Sequence, residues 1–331
     1  MKIAIVGAGN NARNNYIPYL SERKDVALSY FERIPNLAAD CAKKFGGRAA
    51  DSLKELMADK PDSVLVLTDE AHHLDVGNAL LEYRPKRIFF EKPLHARNGQ
   101  ANVCEKDFFE AREFLLKAQA MGVETAMMFN YRFFEQSMRL REIIESKGLG
   151  KLRQASLLIH YACWSHCIDL LRLLGGKAIK VSATAGTVAY GDEKMKLRGV
   201  DIAAAFLLEG GATGVILGSS GPDIYRAPLY TGTFNFENGM VQLCDLDASM
   251  NIFMKGSNYV ESYSLLAERS RWDQYKESFK KAIAAYLESI VAGQTPPVPG
   301  LAGLEELQFE VALKRSAAEG RQVDVLKEFS I

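Results

Sequence analysis

The chain has 331 residues, 48% of them hydrophobic and 25% charged, which is globular material for about two domains. Lys plus Arg equals Asp plus Glu at 41 each, so no bulk field favours nucleic acid or an anionic membrane surface. Of the five cysteines only Cys163 and Cys167 lie close together, and one such pair makes no metal cage, so reduced thiols in a cytoplasmic protein and no metal site are expected.

The first element, Lys2-Ile3-Ala4-Ile5-Val6, reads as a strand rather than a secretion signal, and no apolar run approaches the roughly 20 residues that a membrane span needs. A glycine turn and a helix follow in "KIAIVGAGNNARNNYIPYL". Gly7, Gly9 and Ala12 fill the G-x-G-x-x-G/A spacing of a dinucleotide fingerprint, with Asn10 and Asn11 inside it. The first glycine permits the tight turn, the second lets the backbone approach a pyrophosphate, and the small third residue lets helix pack on strand. The amides opening that helix would face the phosphates. A second strand over 26–31 ends in Glu32, about 20 residues past the turn, where an acid binds the adenosine ribose hydroxyls and repels a 2′-phosphate. NAD is therefore favoured over NADP, although Arg33 alongside could meet a phosphate or stack on adenine.

Helical patterns over 37–45, 52–59, 74–82 and 108–120 alternate with strands over 63–67, 87–90 and 124–128, the order of a parallel doubly wound sheet. Glu91-Lys92-Pro93 closes the strand 87–90, and ligands bind such sheets beyond the carboxyl ends of their strands. Hydride transfer between an alcohol and a nicotinamide needs a base for the hydroxyl proton and a cation beside the developing alkoxide. Lys92 is a candidate for this work; a solvated strand-end lysine is the alternative.

Beyond residue 130 the pattern changes to alternating strands over 154–161, 179–184, 202–208, 213–218, 232–237 and 240–243, with Asn238-Gly239 as a hairpin turn. Such a sheet with helices on one face is an α+β domain carrying an open, largely antiparallel sheet. A helix over 272–292 and the break "QTPPVPG" at 294–300 precede a last helix over 304–318. The expected division is a Rossmann domain at 1–127, an α+β substrate and oligomerisation domain at 128–300, and a tail at 301–331 returning to the first domain. Within "SHCIDLLRLLGG", Ser165 is a good N-cap and Gly175-Gly176 a good stop. His166 and Asp169, three apart, share a helix face, and an acid partner can tune an imidazole as a general base; a structural histidine is the other reading.

Taken in order, "GAGNNA" at 7–12, Glu32-Arg33, "TDEAHH" at 68–73, "EKPL" at 91–94, "FNYRF" at 129–133, "HCIDLLRLLGG" at 166–176 and "AAEGRQVDV" at 317–325 resemble the Gfo/Idh/MocA oxidoreductases. The resemblance implies that Lys92 lies beside the nicotinamide and assists proton transfer, that Pro93 follows a cis peptide, and that His166 is the acid/base. It places Thr68, His73, Glu91 and Asn130 around the cofactor and Arg132 near cofactor or substrate, and Asp169 is a further candidate for binding substrate. It also implies a homodimer or homotetramer through the second sheet. The chain departs from the family's Asp-x-Gly-x-His, with Ala162 and Trp164 where Asp and Gly would stand and the preceding loop mostly absent. Tyr161 is a candidate for a substituted hydroxyl contact with substrate, or a buried strand tyrosine. The polar stretch "HARNGQANVCEK" at 95–106 is longer than usual and could cover part of the opened pocket; His95 in it reads as solvated. The leading expectation is an NAD(H)-dependent oxidoreductase acting on a secondary alcohol or ketone of a sugar, polyol or related small molecule. The alternatives are a non-catalytic dinucleotide-binding regulator of the same fold and an enzyme on a non-sugar substrate such as an imine or trans-dihydrodiol.

Overall fold

The structure, a computed structural model, describes every residue except 195–196, 222–228, 246–247 and 267–269. It divides into two compact units, Met1–Arg97 with Glu105–Phe129 and Phe279–Leu304, and Asn98–Cys104 with Asn130–Ser278 and Glu305–Ile331.

In the first unit β1 (Lys2–Val6), α1 (Ile17–Glu22), β2 (Ala27–Phe31), α2 (Pro35–Phe45), β3 (Arg48–Ala49), α3 (Leu53–Ala58), β4 (Ser63–Val66), α4 (His73–Leu81), β5 (Arg87–Phe90), α5 (Glu105–Ala120) and β6 (Glu124–Met127) succeed one another. The strands form one parallel sheet of order β3-β2-β1-β4-β5-β6. Every residue of β4 and β5 is buried, which is why these strands read as continuous runs rather than alternations. The strand order reverses between β1 and β4, and ligands bind at such a point beyond the carboxyl ends.

The second unit carries α6 (Glu135–Ser146), β7 (Leu152–His160), α7 (Trp164–Gly175), β8 (Ala178–Ala185), β9 (Ile202–Leu208), β10 (Thr213–Ser219), β11 (Tyr230–Phe236), β12 (Gly239–Cys244), β13 (Ser249–Met254) and β14 (Val260–Ser264). The helices α8 (Arg271–Val291) and α9 (Gly300–Glu319) contribute to both units, and β15 (Val323–Asp324) and α10 (Val325–Glu328) end the chain. The sheet is mixed, of order β14-β13-β12-β11-β7-β10-β9-β8-β15, antiparallel except where β10 meets β7. Its strands bury alternate residues, as in β11 and β10, so one face is core and the other open.

The segment that returns to the first unit is Phe279–Leu304, not the tail expected at 301–331. Aromatic and polar contacts hold it there: Tyr286 shares a 2.6 Å hydrogen bond with Ser63, its ring meets Phe89 at 4.8 Å, and Arg87 donates to Ser289 Oγ at 2.9 Å. The tail from Glu305 belongs to the second unit because Val323 and Asp324 extend its sheet beside β8.

Trp164 lies against the backbone of β10: a Cβ on Gly218 would stand 2.6 Å from its ring and 2.9 Å from Ile202. Gly218→Ala should therefore destabilise by about 1–3 kcal/mol through overpacking, more than the ~0.4–1 kcal/mol returned by stiffening the unfolded chain. Urea denaturation checks this, and Trp164→Leu in the same background should recover part of the loss.

Candidate functional site

The expected site residues fall into two groups, one in each unit. In the first, Gly7 adopts φ +99° and a Cβ there would stand 2.7 Å from Leu67 and Thr68 backbone atoms, so only glycine fits. A Cβ on Gly9 would meet nothing within 4 Å, leaving that backbone approachable. Ala12 is buried at the start of a π-helical turn, Ala12–Tyr16, that leads into α1. Asn10 accepts a hydrogen bond from Arg13 Nη2 at 2.8 Å. These features fit a dinucleotide: a permitted tight turn, an open second glycine and a small third residue.

Glu32 folds over the end of β2. Its Oε2 accepts from Ala8 N–H at 2.8 Å and its Oε1 from Arg33 N–H at 2.8 Å. A carboxylate has about four acceptor positions, so these bonds orient it and leave capacity for ribose hydroxyls. The Arg33 side chain is exposed beside it.

Glu91, buried at the end of β5, joins the two turns. Its Oε1 accepts from Asn11 Nδ2 at 2.8 Å and from Tyr16 Oη at 2.6 Å, and its Oε2 accepts from the Lys92 N–H at 2.8 Å. The Lys92–Pro93 peptide is cis. His73 fastens the same turn from the other side. Its Nδ1 faces the carbonyls of Pro93 and Leu94 at 3.1 and 3.3 Å, and its Nε2 faces that of Thr68 at 3.1 Å. Burial pushes the His73 pKa down, against the raising influence of the Thr68 carbonyl and Glu91. Lys92 itself is half-buried.

In the second unit Asn130 begins a 3-10 turn, Asn130–Phe133, and is buried. Its Nδ2 donates to Ser278 Oγ at 2.8 Å, and its Oδ1 has no hydrogen-bond partner among the described residues. Arg132 grips Asp169 through two bonds, Nε to Oδ2 at 2.6 Å and Nη2 to Oδ1 at 2.5 Å. Arg172 adds a third to Asp169 at 3.3 Å and pairs in turn with Glu305. Asp169 is thus engaged by two arginines, where the sequence pointed to His166. His166, 2% exposed, stacks on the Tyr131 ring with centroids 4.1 Å apart and planes 8° apart.

Tyr161 does not offer a free hydroxyl: it donates to the Val200 carbonyl, and burial raises its pKa. Ser165 is not the helix cap, since α7 begins at Trp164 and the Ser165 hydroxyl has no hydrogen-bond partner among the described residues. His160 orders this junction instead, its Nδ1 accepting from Ala162 N–H at 2.9 Å, which places its own proton on Nε2. His95, expected in solvent, is fully buried, with Nε2 3.3 Å from Glu110 and Nδ1 3.3 Å from the Glu70 carbonyl. Tyr16 and Ser278 escaped the sequence reading, and His160 read as a strand residue with no visible partner; Tyr16, one helical turn past Ala12, was the one with a positional signal.

Among the described residues no group of three or more His, Cys, Asp or Glu could hold a metal ion, and no helix is long and apolar enough to cross a membrane.

A family model described as "Oxidoreductase family, NAD-binding Rossmann fold" matches residues 1–106, the stretch carrying the glycine turn, Glu32 and the Lys92 turn. Over those residues the chain is similar to the NAD-binding domain of the Gfo/Idh/MocA oxidoreductases. It is 23% identical over 160 residues to glucose-6-phosphate 3-dehydrogenase of Bacillus subtilis strain 168, covering 48% of this chain and 42% of that one. It is 28% identical over 160 residues to D-glucoside 3-dehydrogenase of Escherichia coli K12, covering 46% and 41%. The chain therefore spans less than half the length of these curated relatives. An oxidoreductase from Agrobacterium radiobacter, solved in complex with NAD+, L-tartaric acid and magnesium, shares the fold over 99% of both chains, with TM-score 0.81 and 18% identity.

Because the His73 imidazole titrates below the ordinary 6.5 when folded, the unfolded chain binds more protons across that window. Stability is complete above about 6.5 and is lost as pH falls below it. Denaturant midpoints taken from about pH 7.5 to about pH 5 should fall, and His73→Phe should flatten that slope. His160, lowered by burial as well, adds to the slope with the same sign.

Proposed function

We propose that the chain is a nicotinamide-dependent oxidoreductase transferring hydride between NAD(H) and a secondary alcohol or ketone of a sugar, polyol or related metabolite. The observation that carries this reading is the Glu91 carboxylate, which ties the dinucleotide turn to the backbone of Lys92. A module that only bound a dinucleotide would not need a lysine held there. The sugar dehydrogenases among its relatives support the substrate class.

Bound nicotinamide would supply or accept the hydride. Gly7, Gly9, Asn10, Asn11 and Ala12 would receive the pyrophosphate, and Glu32 the adenosine ribose, which favours NAD over NADP. Thr68, His73, Glu91, Pro93 and Asn130 would complete the cofactor's surroundings. Lys92 would carry the hydroxyl proton and stabilise the alkoxide, with His166 as a second acid/base group. Arg132 and Asp169, bound to each other, would act by holding the 3-10 turn of Asn130 and Tyr131 against α7. The open sheet face exposes Leu158, Val215 and Leu217, an apolar surface suited to a second copy of the chain.

A regulator that binds the cofactor without turnover is the second reading, favoured by Ala162 at the family's aspartate position and by the internal engagement of Tyr161. Single-turnover oxidation of bound NADH against a panel of keto-sugars and aldehydes separates the two. Loss of NADH fluorescence with one compound, slowed about 10²–10⁴-fold by Lys92→Ala, is the result expected of the enzyme. Tight NADH binding with no turnover on any compound would favour the regulator.

A further inference from the structure

The connection from Pro93 to α5 leaves the first unit at residue 98 and rejoins it at residue 105. Ala101 and Val103 are buried within the second unit. Lys314 of α9 binds this segment directly, its Nζ donating to the Val103 carbonyl at 2.8 Å, to the Ala101 carbonyl at 3.4 Å and to Glu310 Oε1 at 2.7 Å. An ammonium group has three donors, so these acceptors use all of them. Glu310, buried one helical turn before Lys314, offsets the cost of drawing the ammonium out of water. At Glu306, a turn earlier and fully buried, burial and the negative charges of Glu310 and Asp169 push the pKa well above the ordinary carboxylate value, against the lowering influence of Lys314.

The segment in turn holds residues 198–200. Asn102 Nδ2 donates to the Arg198 carbonyl at 3.1 Å, and a Cβ on Gly199 would sit 3.4 Å from the Tyr161 ring and 3.6 Å from Ala101. The Tyr161 hydroxyl donates to the adjacent Val200 carbonyl, and its ring meets Trp164 edge-on at 5.4 Å. Contacts therefore run without a break from α9, through 101–103 and 198–200, to the turn that opens α7 three residues before His166.

We propose that residues 98–104 form a strap against the turn that opens α7, and that Lys314 is the positioning residue that clips it in place beside Tyr161. The strap sets a segment that follows Lys92 in the chain against the turn that leads into the His166 helix. Its effect on substrate rests on the oxidoreductase reading; its existence as a clipped unit does not.

Hydrogen–deuterium exchange on the full chain, with and without NADH, tests the clip in Lys314→Met and Asn102→Ala. Lys314→Met should raise exchange of 98–104 and 197–200 together by about tenfold, as expected for loss of hydrogen bonds to a charged group, and Asn102→Ala should raise both segments less. With a compound that the wild type turns over, KM should rise about tenfold in Lys314→Met while kcat holds within about twofold, because binding and not the chemical step is disturbed. Unchanged exchange over 98–104, or a rise there with 197–200 protected as in the wild type, would overturn the proposal. If the wild type turns over no compound, the oxidoreductase reading fails and the exchange result still decides the strap. If Lys314→Met does not fold, coupled loosening of both segments in Asn102→Ala decides it in the same way.

Discussion

The first unit depends on a carboxylate kept out of water. Taking Glu91 into the interior costs several kcal/mol, and that cost is offset only if its lone pairs are met. They are met by Asn11 and Tyr16 from the helix after the glycine turn and by the Lys92 N–H after β5. A side chain that is expensive to bury therefore ties together two turns of distant sequence, 80 residues apart between Asn11 and Glu91. The π-helical turn at Ala12–Tyr16 is the local accommodation, widening the helix start where Tyr16 reaches the carboxylate.

The second unit applies the same economy to a different end. Arg132, Asp169, Arg172 and Glu305 satisfy one another in a network that ties the 3-10 turn at Asn130–Phe133 to α7 and α9. Polar residues that in isolation look like substrate ligands are spent on holding the frame. What remains is narrower: the stacked His166, the carboxamide of Asn130, and a tyrosine turned inward to a carbonyl. Only the short turn Tyr161–Cys163 joins β7 to α7, and His160 and Tyr161 order that junction.

Local chemistry was legible in the sequence. Gly7 announces a backbone conformation that almost no other residue permits, Gly9 and Ala12 complete the spacing of a dinucleotide turn, and the alternation of strand and helix announces a parallel sheet. Partnerships across the chain were not. Nothing in the spacing of His166 and Asp169 reveals that Arg132 and Arg172 outcompete the imidazole for the carboxylate, because guanidinium offers bidentate, permanently charged donors. His95 sits among polar residues and reads as solvated, yet Glu70 and Glu110 give its buried ring partners. Val260–Ser264 was missed because it is an edge strand with no buried residue, and Ser249–Met254 because its alternation rests on only two buried residues, Met250 and Ile252. The return of Phe279–Leu304 to the first unit was hidden for a related reason: the contacts that fix it, Tyr286 with Ser63 and Arg87 with Ser289, join residues more than 200 positions apart.

The central claim is that one buried carboxylate couples dinucleotide binding to the lysine turn. Titration of NADH by fluorescence against the wild type and Glu91→Gln tests it most directly, with urea denaturation of both proteins as the stability reference. Gln keeps the shape but turns a donor toward groups that are donors themselves, so NADH affinity should fall by about tenfold or more together with a loss of stability. Wild-type affinity and unchanged stability in Glu91→Gln would contradict the account.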